Sequence, residues 1–193
     1  MASAVFAQTI TATKAIAEAA VDGVQTQAEG NASVSPKPPT VATLATDLVA
    51  PWAMAFAPDG RIFVTERPGR LRVLSAEGEL APEPVAVIAD VVASGEGGLL
   101  GLALDPAFAQ NQQLYLYHTY RDDGGLRNRV VRYTENQGRL ANRTVLLDGI
   151  PGANIHNGGR IAFGPDGKLY ITTGDAAQAA LAQDRNSLAG KIL

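Results

Sequence analysis

One local pattern recurs along this chain and limits what it can fold into. "AFAPDGRIFVTE" (residues 55–66) and "AFGPDGKLYITT" (162–173) match almost position for position. Each joins two short apolar runs through Pro-Asp-Gly, the composition of a β-hairpin turn. "LALDPAFAQNQQLYLYHT" (102–119) is the same hairpin with a longer loop. The turn prolines stand at 58, 106 and 165, and a period of about 50 to 60 residues with several short strands per repeat is that of propeller blades. The expectation is an all-β chain made of radially arranged four-stranded antiparallel sheets.

The flanking segments supply the other strands. "VATLAT" (41–46) and "RLRVLS" (70–75) flank the first hairpin, "NRVVRY" (128–133) and "TVLLDG" (144–149) follow the second, and "GKIL" (190–193) follows the third. The count is about two and a half to three blades. Fewer than three complete blades cannot close a ring, so the chain reads as part of a larger propeller, and these residues alone are expected to be inactive and prone to associate. Residues 1–40 differ in kind: rich in Ala, Thr, Ser and Gln, they end in a Pro-rich stretch at 36–39. They read as a disordered leader with at most a weak helix over 12–21, and the domain as 41–193. The leader lacks the basic and long apolar regions of a clear secretory signal.

Composition narrows the function. With no cysteine among 193 residues there is neither a disulfide framework nor a thiolate metal site. A net charge of −3 argues against a nucleic-acid partner, and no apolar run is long enough for a membrane span. The arginine-rich stretches at 61–72 and 121–132 are mixed with acids and turn residues, and read as solvated strand faces. His118 shares a strand face with Leu114 and Leu116 and reads as a packed or surface histidine. Trp52 and Tyr115, Tyr117, Tyr133 and Tyr170 read as blade packing.

The third hairpin raises a chemical question. His156 stands just before its first strand and Asp175 just after its second. The two ends of an antiparallel hairpin lie side by side, so these residues are candidates to meet. An imidazole titrates near neutral pH, and a carboxylate on one ring nitrogen fixes its tautomer and supports the imidazolium.

Five motifs in order, "PWAMAFAPDGRIFVTERPGRLRVL", "GEGGLLGLALDPAF", "NRVVRY", "HNGGRIAFGPDGKLYITTGD" and "AQDRNSLAGKIL", make residues 41–193 resemble the soluble quinoprotein glucose/sorbosone dehydrogenases, nearest the aldose sugar dehydrogenase branch. The resemblance implies a six-bladed β-propeller holding pyrroloquinoline quinone (PQQ), with this chain as its N-terminal half. It implies oxidation of an aldose at the anomeric hydroxyl to the lactone, an external electron acceptor and a periplasmic or secreted location. His156 matches the general base and Asp175 the carboxylate that holds it. Gly158 and Gly159 match positions where the backbone approaches the flat cofactor. Arg160 either lines that pocket or braces the blade. Glu96 matches a sugar-contacting position or is a loop acid, and Gln183 and Asp184 match a loop at the pocket rim. Ile155 replaces an acid of the glucose-oxidising branch, which implies broader aldose use. The Ca2+ ligands and most PQQ contacts belong to later blades in the family, so no metal ligand is assigned here. The competing readings are a non-catalytic NHL-like binding propeller and a metal-dependent sugar lactonase.

Overall fold

The computed structural model describes residues 7–13 and 41–193. Their sheets are antiparallel, and the only helical residues among them are a four-residue α1 (Phe108–Asn111) and a 3-10 turn at Ala179–Ala182. The first blade comprises β3 (Pro51–Phe56), β4 (Ile62–Glu66), β5 (Arg70–Leu74) and β6 (Ala86–Val87). The second comprises β7 (Leu99–Leu104), β8 (Gln113–Asp122), β9 (Gly125–Asn136) and β10 (Arg139–Pro151). The third holds β11 (Gly158–Phe163) and β12 (Leu169–Thr173), with Ile192 bridging to Thr172 as the start of a third strand. Successive sheets stack with β7 beside both β3 and β11, giving a radial array of propeller blades.

The Pro-Asp-Gly turns form as their chemistry dictates. In both, the glycine N–H donates to the carbonyl three residues back, 3.0 Å from Ala57 O and 3.0 Å from Gly164 O. The turn aspartate accepts the main-chain N–H two residues on, Arg61 in one case and Lys168 in the other, each at 3.1 Å. The second repeat substitutes α1 for the turn. There Asp105 Oδ1 accepts Ala107 N–H and the Asn111 amide, both at 2.9 Å.

The alternation in β8 explains how the blades hold together. Leu114 and Leu116 face the first blade, in a core with Phe63, Leu71, Leu99, Leu102 and Val131. Tyr115 and Tyr117 face the third, with Leu100, Val130, Ile161 and Ile171. A central strand apolar on both faces is what a sheet stacked between two others requires. Each fully buried side chain there contributes about 1.5–3 kcal/mol.

Several expectations change. "VATLAT" does not join the first blade. It lies in β2 (Val41–Val49), which pairs with β1 (Ala7–Thr13) from the leader. The backbone bends into a left-handed conformation at Ala50 (φ 47°), so β2 leaves the plane of the blade and packs on its outer face through Ala45 and Leu48 against Val64 and Leu74. Ala86–Val87 is the fourth strand instead. Residues 12 and 13 of the expected helix belong to β1, and the remainder of that helix lies outside the described residues.

The arginines are also not simply solvated. Arg72 is buried, and with Arg70 it pairs with the fully buried Glu66. Arg129 bridges Asp90 and Asp148 and lies 3.3 Å over the Tyr120 ring. Of the aromatic residues read as packing, Tyr170 is the exception: it is 44% exposed and donates its hydroxyl to Asp166.

Candidate functional site

The two ends of the third hairpin do meet. His156 Nδ1 lies 2.9 Å from Asp175 Oδ1. That oxygen also accepts the Ala177 N–H at 2.9 Å, so the carboxylate is aimed by its own loop. The imidazole is 55% exposed and the aspartate 26%. A carboxylate at Nδ1 selects the Nδ1–H tautomer and leaves the Nε2 lone pair as the basic position.

Local backbone geometry brings this about. His156 sits at φ 59°, and Ala176 and Ala177 at 53° and 58°; three of the eight non-glycine residues with positive φ among the described residues therefore surround one pair. Such conformations cost about 1–2 kcal/mol each for an L-residue and persist where surrounding structure imposes them. Here Ala176 N–H donates to His156 O at 3.2 Å. A Cβ on Gly174 would fall 1.8 Å from that same carbonyl oxygen, so only glycine lets the two ends close.

Beneath the histidine is a support that was not expected. Asn157 is 2% exposed. Its Oδ1 accepts Ala153 N–H at 3.1 Å and its amide donates to Ala153 O at 2.8 Å. Asn128, also buried, donates to Asn157 Oδ1 at 3.1 Å and to Pro151 O at 3.0 Å, and accepts the Thr119 hydroxyl at 2.7 Å. Tyr117 donates its hydroxyl to Asn157 O at 2.9 Å. The bonds from Asn128 and Tyr117 reach back to the second blade, which thereby fixes the loop that presents His156.

The other assigned residues fall in different places. Glu96 reaches the pair directly: its Oε2 accepts the His156 main-chain N–H at 2.7 Å. Gln183 and Asp184 lie exposed just past the 3-10 turn, where Asp184 Oδ1 accepts Asn186 N–H at 2.9 Å. Among the described residues no hydrogen bond joins either to His156 or Asp175. Gly158 and Gly159 are each hemmed in by the protein itself. A Cβ on Gly158 would meet Gly174 N at 2.5 Å, and one on Gly159 would meet Tyr117 and Leu100 at 3.0–3.2 Å. The space that a side chain would take is filled by protein at both.

Arg160 is exposed, and its guanidinium lies 4.5 Å over the Trp52 ring of the first blade. Its main-chain N–H and C=O are both held by the Thr172 hydroxyl, at 3.0 and 3.1 Å. It thus braces across blades, and among the described residues no carboxylate pairs with it. An exposed, acid-free guanidinium on the strand that follows His156 fits an anionic planar quinone. No group of three or more His, Asp or Glu among the described residues is arranged to hold a metal ion.

The aldose sugar dehydrogenase YliI of Escherichia coli K12 is 33% identical over 165 residues, spanning 82% of this chain and 44% of that protein. A PQQ-bound aldose sugar dehydrogenase from Streptomyces coelicolor superposes with a TM-score of 0.73 at 40% identity, over 79% of this chain and 46% of that one. Mouse Hedgehog-interacting protein is 37% identical over 131 residues, 60% of this chain and 19% of that protein. The chain spans less than half the length of the curated relatives it matches. Residues 48–193 match the model of the Glucose / Sorbosone dehydrogenase family, and with blades, hairpins and sequence in agreement the chain belongs to that family.

Proposed function

We propose that this chain carries the proton-abstracting side of a PQQ-dependent aldose dehydrogenase site. The observation that carries the reading is the exposed imidazole held at Nδ1 by Asp175 at 2.9 Å. With Nδ1–H committed to the carboxylate, Nε2 takes the proton from the anomeric hydroxyl of an aldose as that carbon gives up hydride and becomes the lactone carbonyl. Asp175 stabilises the imidazolium that forms and keeps the ring from rotating. PQQ, when bound, supplies the two-electron acceptor for the hydride and passes the electrons to an external acceptor. Arg160 is the residue here suited to hold an anionic group of the cofactor. Ca2+ accompanies PQQ on the family pattern, with ligands from outside this stretch.

Exposed Ile155, next to the base, supports broad aldose use, since it offers no charged group to select one hydroxyl pattern. A periplasmic or secreted location goes with this reading. No helix among the described residues is long and apolar enough to cross a membrane.

The test is reconstitution of the protein, expressed from its full reading frame, with PQQ and Ca2+, followed by dye reduction with several aldoses. Turnover that requires PQQ and is lost in His156→Ala is the expected result. The mouse relative named for Hedgehog interaction favours a second reading, a propeller retained for binding. PQQ titration with no aldose turnover at any pH would select it.

A further inference from the structure

Glu96 matches a sugar-contacting position by resemblance or reads as a loop acid, and one oxygen of its carboxylate is engaged within the protein. Oε2 lies 2.7 Å from the main-chain nitrogen of His156. That N–H belongs to a residue in the left-handed region, where regular strand pairing is unavailable to it. The two loops are interlocked in both directions. Glu96 N–H donates to Asn154 O at 2.7 Å, and the Ser94 hydroxyl donates to Asn154 Oδ1 at 2.8 Å. A Cβ on Gly95 would fall 2.0 Å from Asn154 O, so the contact is as close as backbone permits. The first blade anchors the other side. The Arg67 guanidinium donates to Gly95 O and Gly97 O, and Arg67 O accepts Leu99 N–H at 2.9 Å.

From this chain of contacts we infer that Glu96 is a positioning residue, whose Oε2 fixes the His156 main chain so that the imidazole meets Asp175. The inference rests on the reading of His156 as the base. A strap running from Arg67 through the 94–97 loop to the 154–156 loop ties the base to two blades besides its own. Glutamate suits the place because an ionised carboxylate accepts only, and a charge-assisted bond to an N–H is stronger than a neutral one. Glutamine keeps an acceptor oxygen at the same reach. Alanine removes it and leaves the main chain of the left-handed residue with the Ala176 bond alone.

The test has a readout independent of activity. In the protein without cofactor, hydrogen exchange resolved to the His156 amide is compared among wild type, Glu96→Ala and Glu96→Gln. Protection in wild type, about tenfold or more faster exchange in the alanine variant, and recovery to within about threefold in the glutamine variant are expected. In the PQQ-loaded protein, Glu96→Ala lowers kcat about tenfold with KM unchanged and alike for different aldoses, and Glu96→Gln restores it. A His156 amide that exchanges at the unprotected rate in wild type overturns the inference without recourse to any variant. So does a rise in KM that differs among aldoses at constant kcat, which is the pattern of a sugar contact. If no aldose is oxidised by wild type, the functional reading fails, and the amide measurement alone decides the role of Glu96.

Discussion

The chain has two histidines, each beside an aspartate, and they are built for opposite purposes. His118 lies in the middle of β8 with no exposure, its Nε2 3.4 Å from Asp90 Oδ2. It is paired across the sheet with Leu99 and Arg129, and neither ring nitrogen makes a hydrogen bond. His156 lies outside any strand, half exposed, with one nitrogen committed to Asp175 at 2.9 Å and the other facing solvent. Proximity to a carboxylate is therefore common to both. What distinguishes His156 is access to the second nitrogen together with a backbone conformation that the surrounding loops enforce.

Substituting each histidine by alanine separates the two roles. His156→Ala removes proton transfer and leaves Arg160 in place, so turnover of the PQQ-loaded protein falls by about 10²–10⁴ while PQQ affinity is retained. Thermal and denaturant stability stay near wild type, because the side chain is exposed. His118→Ala does the reverse. It opens a cavity between blades and costs about 2–3 kcal/mol by denaturant unfolding, with turnover per folded molecule unchanged. If His118→Ala abolished turnover at full folding, the contrast between the two would fail.

Asp175→Asn tests the carboxylate itself. Asparagine can still accept from Ala177 N–H, but it loses the charge that stabilises the imidazolium and permits the wrong tautomer. Turnover should fall about 10–10²-fold, with the loss greater in kcat than in KM. An unchanged pH–rate profile in this variant would mean that Asp175 only shapes the loop.

The contrast also accounts for what was legible in the sequence. Turn chemistry is local, so the Pro-Asp-Gly hairpins could be placed from a few adjacent residues, and the meeting of His156 with Asp175 follows from hairpin geometry. The supports of that meeting are not local. Asn157 depends on Asn128, 29 residues away, and Glu96 reaches His156 across 60. No periodicity links such positions, and a single buried asparagine looks like any loop residue. The same limit hid the partner of β2. At the glycines before Arg160 an added Cβ would meet Gly174, Tyr117 and Leu100, contacts that no adjacent residue announces.

The smallest expected effect concerns pH, and it belongs to the buried histidine. Burial holds His118 below its ordinary value of 6.5, and the nearby Asp90 offsets this only in part. The groups that face it are Asp90, from the segment before β7, and Arg129 and Arg143, from β9 and β10; both arginines bind Asp90 Oδ2, at 3.1 and 2.8 Å. Two cations near the ring reinforce the neutral form. Because the folded pKa is depressed, the unfolded chain takes up a proton as pH falls through 6.5 while the folded chain does not. Stability is therefore fully present above pH 6.5 and declines as pH falls from there toward the folded value. Asp90 is itself held below 3.8: burial opposes this, and His118 and Arg143 outweigh it, so its contribution is lost in a separate, more acid window. Unfolding free energy measured against pH should show a first decline beginning near 6.5, flattened in His118→Leu and retained in His156→Ala. A decline that persisted in the leucine variant and vanished in His156→Ala would place the titrating group at the exposed histidine and reverse the comparison.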